Sequence, residues 1–496
     1  MRHKEHTIPE LIRTKGIIVI LLFFSKLLPG QDLQGDYHPL RQYGPPYAVI
    51  QGYKARFSRW KERATFNNNQ AKSAFTDLSQ NSYKYISLLD TIGVLMYADS
   101  ISKFVNTIKD QIVNSNPVLQ SRNFKVFILR NNEPNASNLG EGIILFNLGL
   151  LERLKSVDQV AFVLSHEMGH DLLDHVFEGE IRYCDSFYDP DFRRTLHKTS
   201  KRHIGRNSEL KQLMDSFMSG QLGMNRQNEI SADSIGLLFF QKAGYDPLAS
   251  IEVMNILDSS DLLIMHDSLL LSKTFNCEEY PFKPYWLDIE TTLQSSAEKS
   301  AIYYLPDSLK SHPDCPLRAI LLSKQFHSSE EIKQKEIPEC ISLTLHFESV
   351  EAQFQVKDYV MAMYLSLQLR KLYPDNIYLK CIISNCLVEL SNAIQQGQFL
   401  DYVEFPDVSY APAYNQLLIF LHNMTSTSLN KVNNCYFKMN LANVRENDYI
   451  GYLKIISNST VVLTKQMVDD YNQKFDSPHF RTLLEKHLPN KSKRKE

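Results

Sequence analysis

Between Val160 and Val176 the chain carries His166-Glu167-Met168-Gly169-His170, and no other stretch restricts its fold so tightly. Two histidines four apart share one face of a helix, one turn from each other. Both imidazoles can then reach a single zinc ion at about 2.0–2.1 Å. Glu167 projects beside that face, placed to take a proton from a water activated there. The flanks favour a helix. Ser156 is a good N-cap, and Gln159 three residues on completes a capping box. Val160, Ala161, Leu164, Met168 and Leu172 form one apolar stripe for a core. His166 and His170 lie off that stripe and face a cleft.

A catalytic zinc keeps three protein ligands and one open position, so a third ligand is required. The metzincin pattern needs Gly and His where this chain has Leu173 and Val176, and His175 is one residue out of place. A ligand about twenty residues downstream would be a glutamate near Pro190, where only Asp189 and Asp191 stand. Glu178 and Glu180 are too close to sit on a second helix. The next candidate is Glu229, on a predicted helix from about Asn225 to Lys242, with Asp233 one turn further on. Glu229 would bind metal, and Asp233 would accept a hydrogen bond from the outer nitrogen of a ligand imidazole. The surrounding Ile235, Leu237, Leu238, Phe239 and Phe240 argue that this helix is buried. A buried carboxylate needs a partner.

Four motifs now stand in order: the helix Val157 to His170, Glu229-Ile-Ser-Ala-Asp233 preceded by Arg226, Ala243-Gly-Tyr-Asp-Pro247, and His312-Pro313 with Arg318. Together they resemble the zinc metallopeptidase family that includes the CAAX prenyl proteases, HtpX and BepA, over roughly Ser87 to Gln325. The resemblance implies a gluzincin site with one Zn2+ per chain, held by His166, His170 and Glu229. Glu167 would be general base and acid, and Asp233 would stand behind the ligands. It further implies that His312 approaches the metal and guards the open position, with Arg318 near by. Either is then a candidate for stabilising the oxyanion. The edge strand before the active helix would be Gly142, Ile143, Ile144, Leu145 and Phe146, to which an extended substrate adds through backbone hydrogen bonds. The approach to that strand departs from the family: Asn135-Ala-Ser-Asn-Leu-Gly-Glu-Gly142 lacks a proline and sets Glu141 between two glycines.

The expected fold class is α+β, mainly α: a metallopeptidase domain with a small sheet, then a helical domain of tetratricopeptide (TPR) type. Phe124 to Leu129 and Gly142 to Phe146 read as buried strands, and Ser87 to Val113 as an amphipathic helix. Tyr183 to Arg206 reads as a solvated loop. Ser208 to Gly220 reads as a helix broken at Gly220 and Gly223. Ser259 to Ser311 reads as an extended loop or small subdomain over the cleft. Tyr359 to Tyr373, Pro374-Asp-Asn376 and Tyr378 to Leu390 form one TPR-type hairpin, without a second clean copy. The domain expectation is a signal peptide over 1–30, a peptidase domain over 31–335, a helical domain over 345–490 and a disordered tail over 491–496.

The first thirty residues carry the export signal. Arg2, Lys4, Arg13 and Lys15 precede an apolar run from Ile17 to Phe24, and a polar chain follows Gly30. Periplasmic or secreted protein is the expectation, with an anchor formed by an uncleaved N-terminal segment as the alternative. No later stretch approaches membrane length, so no integral span is expected after signal removal. Seven scattered cysteines lack a C-x2-C pair, which excludes a thiolate zinc finger. A net charge of −2 gives no argument for nucleic acid. The functional expectation is a zinc endopeptidase acting on proteins or peptides in the envelope, in protein quality control, with a protein partner on the helical repeats. The alternative is a latent peptidase acting as a chaperone or binding module.

Overall fold

The computed structural model describes residues 37–40, 54, 57–202, 206–259, 268–288, 314–326, 333–407, 410–457 and 463–475, with isolated positions at 480, 481, 484, 485 and 488. The signal segment 1–30, His312 with Pro313, and the tail 491–496 lie outside the described residues.

Four strands make one mixed sheet in the order β1-β2-β4-β3. They are β1 (Leu95–Met96), β2 (Lys125–Leu129), β3 (Ala136–Asn138) and β4 (Ile143–Asn147). β2 and β4 run parallel, Lys125 opposite Ile143 and Leu129 opposite Asn147. Both faces are covered, which is why these two strands read as unbroken apolar runs. Val126, Ile128, Ile144 and Phe146 point into the core shared with α2 (Ser100–Ser115) and α4 (Val157–Leu172). Phe127, Leu129, Ile143 and Leu145 point the other way, toward α1 (Asn69–Thr91) and α5 (His175–Phe187). Between β4 and α4 lies the short α3 (Leu148–Arg153).

Several expectations are corrected. The segment 142–146 is no edge. β4 is hydrogen-bonded on both sides, and Gly142 belongs to the preceding turn with a positive φ of 77°. The edge is β3, hidden in the sequence because it is three polar or small residues long. The single helix expected over Ser87 to Val113 is two helices, α1 and α2. Gly93, at φ 76°, breaks the run and β1 pairs with β2 between them. The loop expected over Tyr183 to Arg206 is mostly helical: α5, then α6 (Pro190–Ser200). Asp189 caps α6, accepting from the amides of Asp191 and Phe192, and Pro190 fits its first turn. The breaks at Gly220 and Gly223 do not occur. α7 (Arg206–Lys242) is one helix of 37 residues, in which two glycines each cost only about 1 kcal/mol. Phe217 of α7 packs edge-on against Tyr183 and Phe187 and tilted against Phe192, and holds its N-terminal half against α5 and α6.

The next helices, α8 (Leu248–Asp258) and α9 (Cys315–Ser323), complete the peptidase half. α10 (Glu339–Gln355) then joins it to the helical half. Ile341, Leu345 and Ala352 of α10 enter the peptidase core, while Phe347, Val350 and Phe354 enter the helical core. Between them the buried Glu348 binds both sides. Its Oε2 accepts from Arg130 Nε at 3.0 Å and its Oε1 from Tyr37 Oη at 2.6 Å. The expected boundary between 335 and 345 therefore falls on the start of one shared helix, Glu339–Gln355. The described residues 268–288 also depart from the expected lid over the cleft. Leu269, Leu271, Phe275 and Trp286 pack in the helical core, and Cys277 is disulfide-bonded to Cys435.

The helical half contains α11 (Tyr359–Leu369), α12 (Ile377–Gln395), α13 (Pro412–His422), α14 (Ser426–Asn440), α15 (Asp448–Ile456) and α16 (Lys465–Phe475). α12 is central, packing on α11, α14 and α15. It is long and apolar enough to cross a membrane, but 78% of that window is buried inside the protein, as for a core helix.

Candidate active site

The site is built where two helices, α4 and α7, meet at glycines. A Cβ on Gly169 would stand 2.8 Å from the Ala232 carbonyl oxygen, and one on Gly236 would stand 2.9 Å from the His166 backbone. Either substitution would push α4 and α7 apart. The glycines therefore let α7 carry Glu229 up to the two histidines.

His166 Nε2 lies 3.0 Å from His170 Nε2, and Glu229 reaches them at 3.5 Å (Oε2) and 3.3 Å (Oε1). Four-coordinate zinc with ligands at about 2.0–2.1 Å has ligand atoms about 3.3 Å apart, so this triangle has the size a tetrahedral ion needs. The donor set fits as well: two imidazoles and a carboxylate. The surroundings favour a cation at that point. Burial opposes a charged His166, yet its hydrogen bonds to Asp233 and Glu229 outweigh burial and lift its pKa to about 10. Glu229 is only partly buried, and His166, His170 and Arg318 hold its carboxyl well below the usual range against the effect of that burial.

Asp233 Oδ1 is 2.8 Å from His166 Nδ1, the placement expected for an outer-nitrogen partner. Arg318 differs from its expected place at the reacting atoms. Its Nε and one terminal nitrogen donate to Asp233 at 2.7 and 2.9 Å, and the other terminal nitrogen lies 2.9 Å from Glu229 Oε2. With its donors taken up by two carboxylates and only 3% of it exposed, Arg318 braces the ligands and does not face a substrate oxyanion. Arg226 pairs with Asp314, just before α9.

Glu167 is 6% exposed, and burial raises its pKa. The Asn138 backbone amide near its carboxylate works against that rise. The catalytic candidate therefore sits beside the sheet edge. Asn135 and Leu139 bond to β4 through Asn147 N–H to Asn135 O and Leu139 N–H to Ile143 O. Antiparallel alternation then turns the backbone groups of Ala136 and Asn138 away from β4, toward α4.

Sequence reasoning missed Asn138, Asp171 and Ser231, and named His175 only as a histidine beyond the motif helix, without a role. Asp171, one residue past the motif and buried, accepts from Gly142 N–H at 2.6 Å and fixes the turn before β4. Glu141, the departure noted in that turn, has φ 54° and lies 3.0 Å from Arg59. His175 lies against His170, and burial together with that neighbour pulls its pKa down to about 4. Its spacing was the available signal: five residues past His170, it begins the next helix.

Residues 103–325 match the family model described as Peptidase family M48. Over 127 residues the chain is 35% identical to the Mitochondrial metalloendopeptidase OMA1 of Arabidopsis thaliana, covering 23% of this chain and 22% of that protein. Over 169 residues it is 23% identical to the Beta-barrel assembly-enhancing protease of Yersinia pestis, covering 33% of this chain and 34% of that protein. The matches thus span between a fifth and about a third of these relatives.

Proposed function

Since residues 103–325 are a Peptidase family M48 domain, we propose that this chain is a zinc-dependent endopeptidase acting on exported proteins in their quality control. The observation that carries the reading is the triangle of His166, His170 and Glu229 with the buried Glu167 beside it. Zinc bound there supplies Lewis acidity to a water and to the scissile carbonyl. Glu167 takes the proton of the attacking water and passes it to the leaving amine. Asp233 and Arg318 hold His166 and Glu229 in place.

An extended substrate pairs with β3 through the outward backbone groups of Ala136 and Asn138, which replaces the strand 142–146 in that role. Two independent features support export. One is the basic-apolar-small pattern of the first thirty residues. The other is the Cys277–Cys435 disulfide, a bond that persists in oxidising compartments. The helical half is the surface for a protein partner.

The test is a metal analysis of purified protein with a cleavage assay on an unfolded casein-type substrate. Wild type should hold one zinc per chain and cleave. Glu167→Gln should keep the zinc and lose at least about 10²–10⁴-fold in rate. Undiminished cleavage by Glu167→Gln overturns the assignment.

A further inference from the structure

A metal-binding imidazole donates its outer N–H to a fixed acceptor, which sets its tautomer and orientation. His166 has Asp233 for this purpose. Among the described residues, no carboxylate pairs with the outer nitrogen of His170. Its Nε2 points into the ligand triangle, and its Nδ1 lies 3.1 Å from Nδ1 of His175. We propose that His175 and Ser231 are positioning residues for His170, forming a neutral relay that fixes the second metal-binding imidazole. The inference rests on the zinc reading above and says how this chain completes it.

The direction of the relay follows from hydrogen-bond valence. A ligand Nε2 carries no proton, so the proton of neutral His170 sits on Nδ1. Two nitrogens 3.1 Å apart need one donor and one acceptor, so His175 Nδ1 accepts. The proton of His175 then sits on Nε2, which faces Ser231 Oγ at 3.3 Å. The Ser231 hydroxyl is within 3.0 Å of the Gln227 and Asn228 carbonyl oxygens, to which it donates, and it keeps a lone pair for His175. Donation runs one way, from His170 through His175 and Ser231 to the backbone of α7.

The backbone is arranged to deliver His175. α4 ends at Leu172, and Asp174 takes φ 53°, ψ 28°, a left-handed conformation uncommon for a residue other than glycine. The reversal makes His175 the first residue of α5 and returns its ring to within 5.0 Å of the His170 ring, centroid to centroid. Asp174 is held in that turn by Arg63 at 2.8 Å and Arg122 at 3.3 Å.

The experiment measures zinc affinity by competition with a chromophoric chelator, alongside the visible spectrum of the cobalt(II)-substituted protein. His175→Phe keeps a planar ring and removes the acceptor. It should weaken zinc binding about 10–100-fold and change the cobalt spectrum, with the thermal transition of the metal-free protein unmoved. His175→Gln restores an acceptor and should recover most of the affinity. Ser231→Ala should shift affinity in the same direction by less. Wild-type affinity in both His175→Phe and Ser231→Ala overturns the relay while leaving the zinc site intact. Wild-type affinity in Ser231→Ala overturns it likewise if His175→Phe fails to fold. A wild-type protein that takes up no zinc overturns the site and the relay together.

Discussion

His166 and His170 are one helical turn apart and aim the same nitrogen at the same point, yet their outer nitrogens rest on opposite kinds of support. Behind His166 stands Asp233, clamped by Arg318, which also reaches Glu229. Behind His170 stand a neutral imidazole and a hydroxyl. The first support is a buried charge network, strong only while every member is present. The second carries no net charge and is correspondingly cheap to bury. One side of the site is therefore rigid and intolerant of change, and the other is adjustable. Substitutions on the two sides should differ in kind: stability on the charged side, metal affinity on the neutral one.

The largest expected effect tests the first half of that statement. Arg318→Met keeps most of the side-chain volume and takes the guanidinium away from Asp233 and Glu229, leaving His166 as the remaining cationic partner of both. Breaking a buried ion pair from one side costs about 3–5 kcal/mol, so denaturant unfolding of the metal-free variant should show a loss of that order. Adding Asp233→Asn to it should restore part of the loss, because one of the two carboxylate charges is gone. If Arg318→Met unfolds at the wild-type midpoint, the network does not hold the site.

Asp233→Asn alone is the more discriminating variant. The amide oxygen can still accept from His166 and Arg318 still has Glu229, but the amide NH2 now faces Arg318 Nε, so one Arg318 bond is lost together with the charge. Zinc affinity should fall about tenfold or somewhat more, the range found when outer partners of ligand histidines are altered. Read beside His175→Phe, it asks whether charge or mere acceptance of the N–H matters. A wild-type affinity in Asp233→Asn would make the two supports equivalent and remove the contrast.

How much of this was legible in the sequence varies with the range of the interaction. The motif helix and Glu229 could be read because helix periodicity fixes which residues share a face. The capping box at Ser156 was legible for the same reason: it is local, and Ser156 does accept from the Gln159 amide. Arg318 was tied to the site by motif, but its role was misjudged, since nothing in the chain says that it turns toward Asp233. β3 escaped because three residues, Ala136 to Asn138, carry no alternation to detect. α5 and α6 escaped because polar residues outnumber apolar ones there, and what fixes them is an aromatic contact with Phe217 of α7. The shared helix α10 was invisible as a joint. Two apolar faces on one helix look like a single well-buried helix until Glu348 is seen between Arg130 and Tyr37.

The smallest prediction concerns the cost carried by the neutral side. α5 presents His175, and it also holds Glu180, whose Oε2 is buried with no hydrogen-bond partner. Burial pushes the Glu180 pKa from 4.5 up to about 7. An acid whose pKa is higher folded than unfolded binds more protons in the folded state between those two values, so stability falls as pH rises through that window. Below about pH 4.5 the carboxyl is neutral in both states and costs nothing; above pH 7 it is charged in both, and the full penalty applies. Glu180→Gln removes the charge and keeps the shape. Its thermal midpoint should exceed that of the wild type at pH 8 and approach it at pH 4.5, measured on the metal-free protein so that zinc occupancy does not change across the series. An equal gain at both pH values would mean that packing, not charge, separates the variants, and α5 would then bear no ionisation penalty for the position it gives His175.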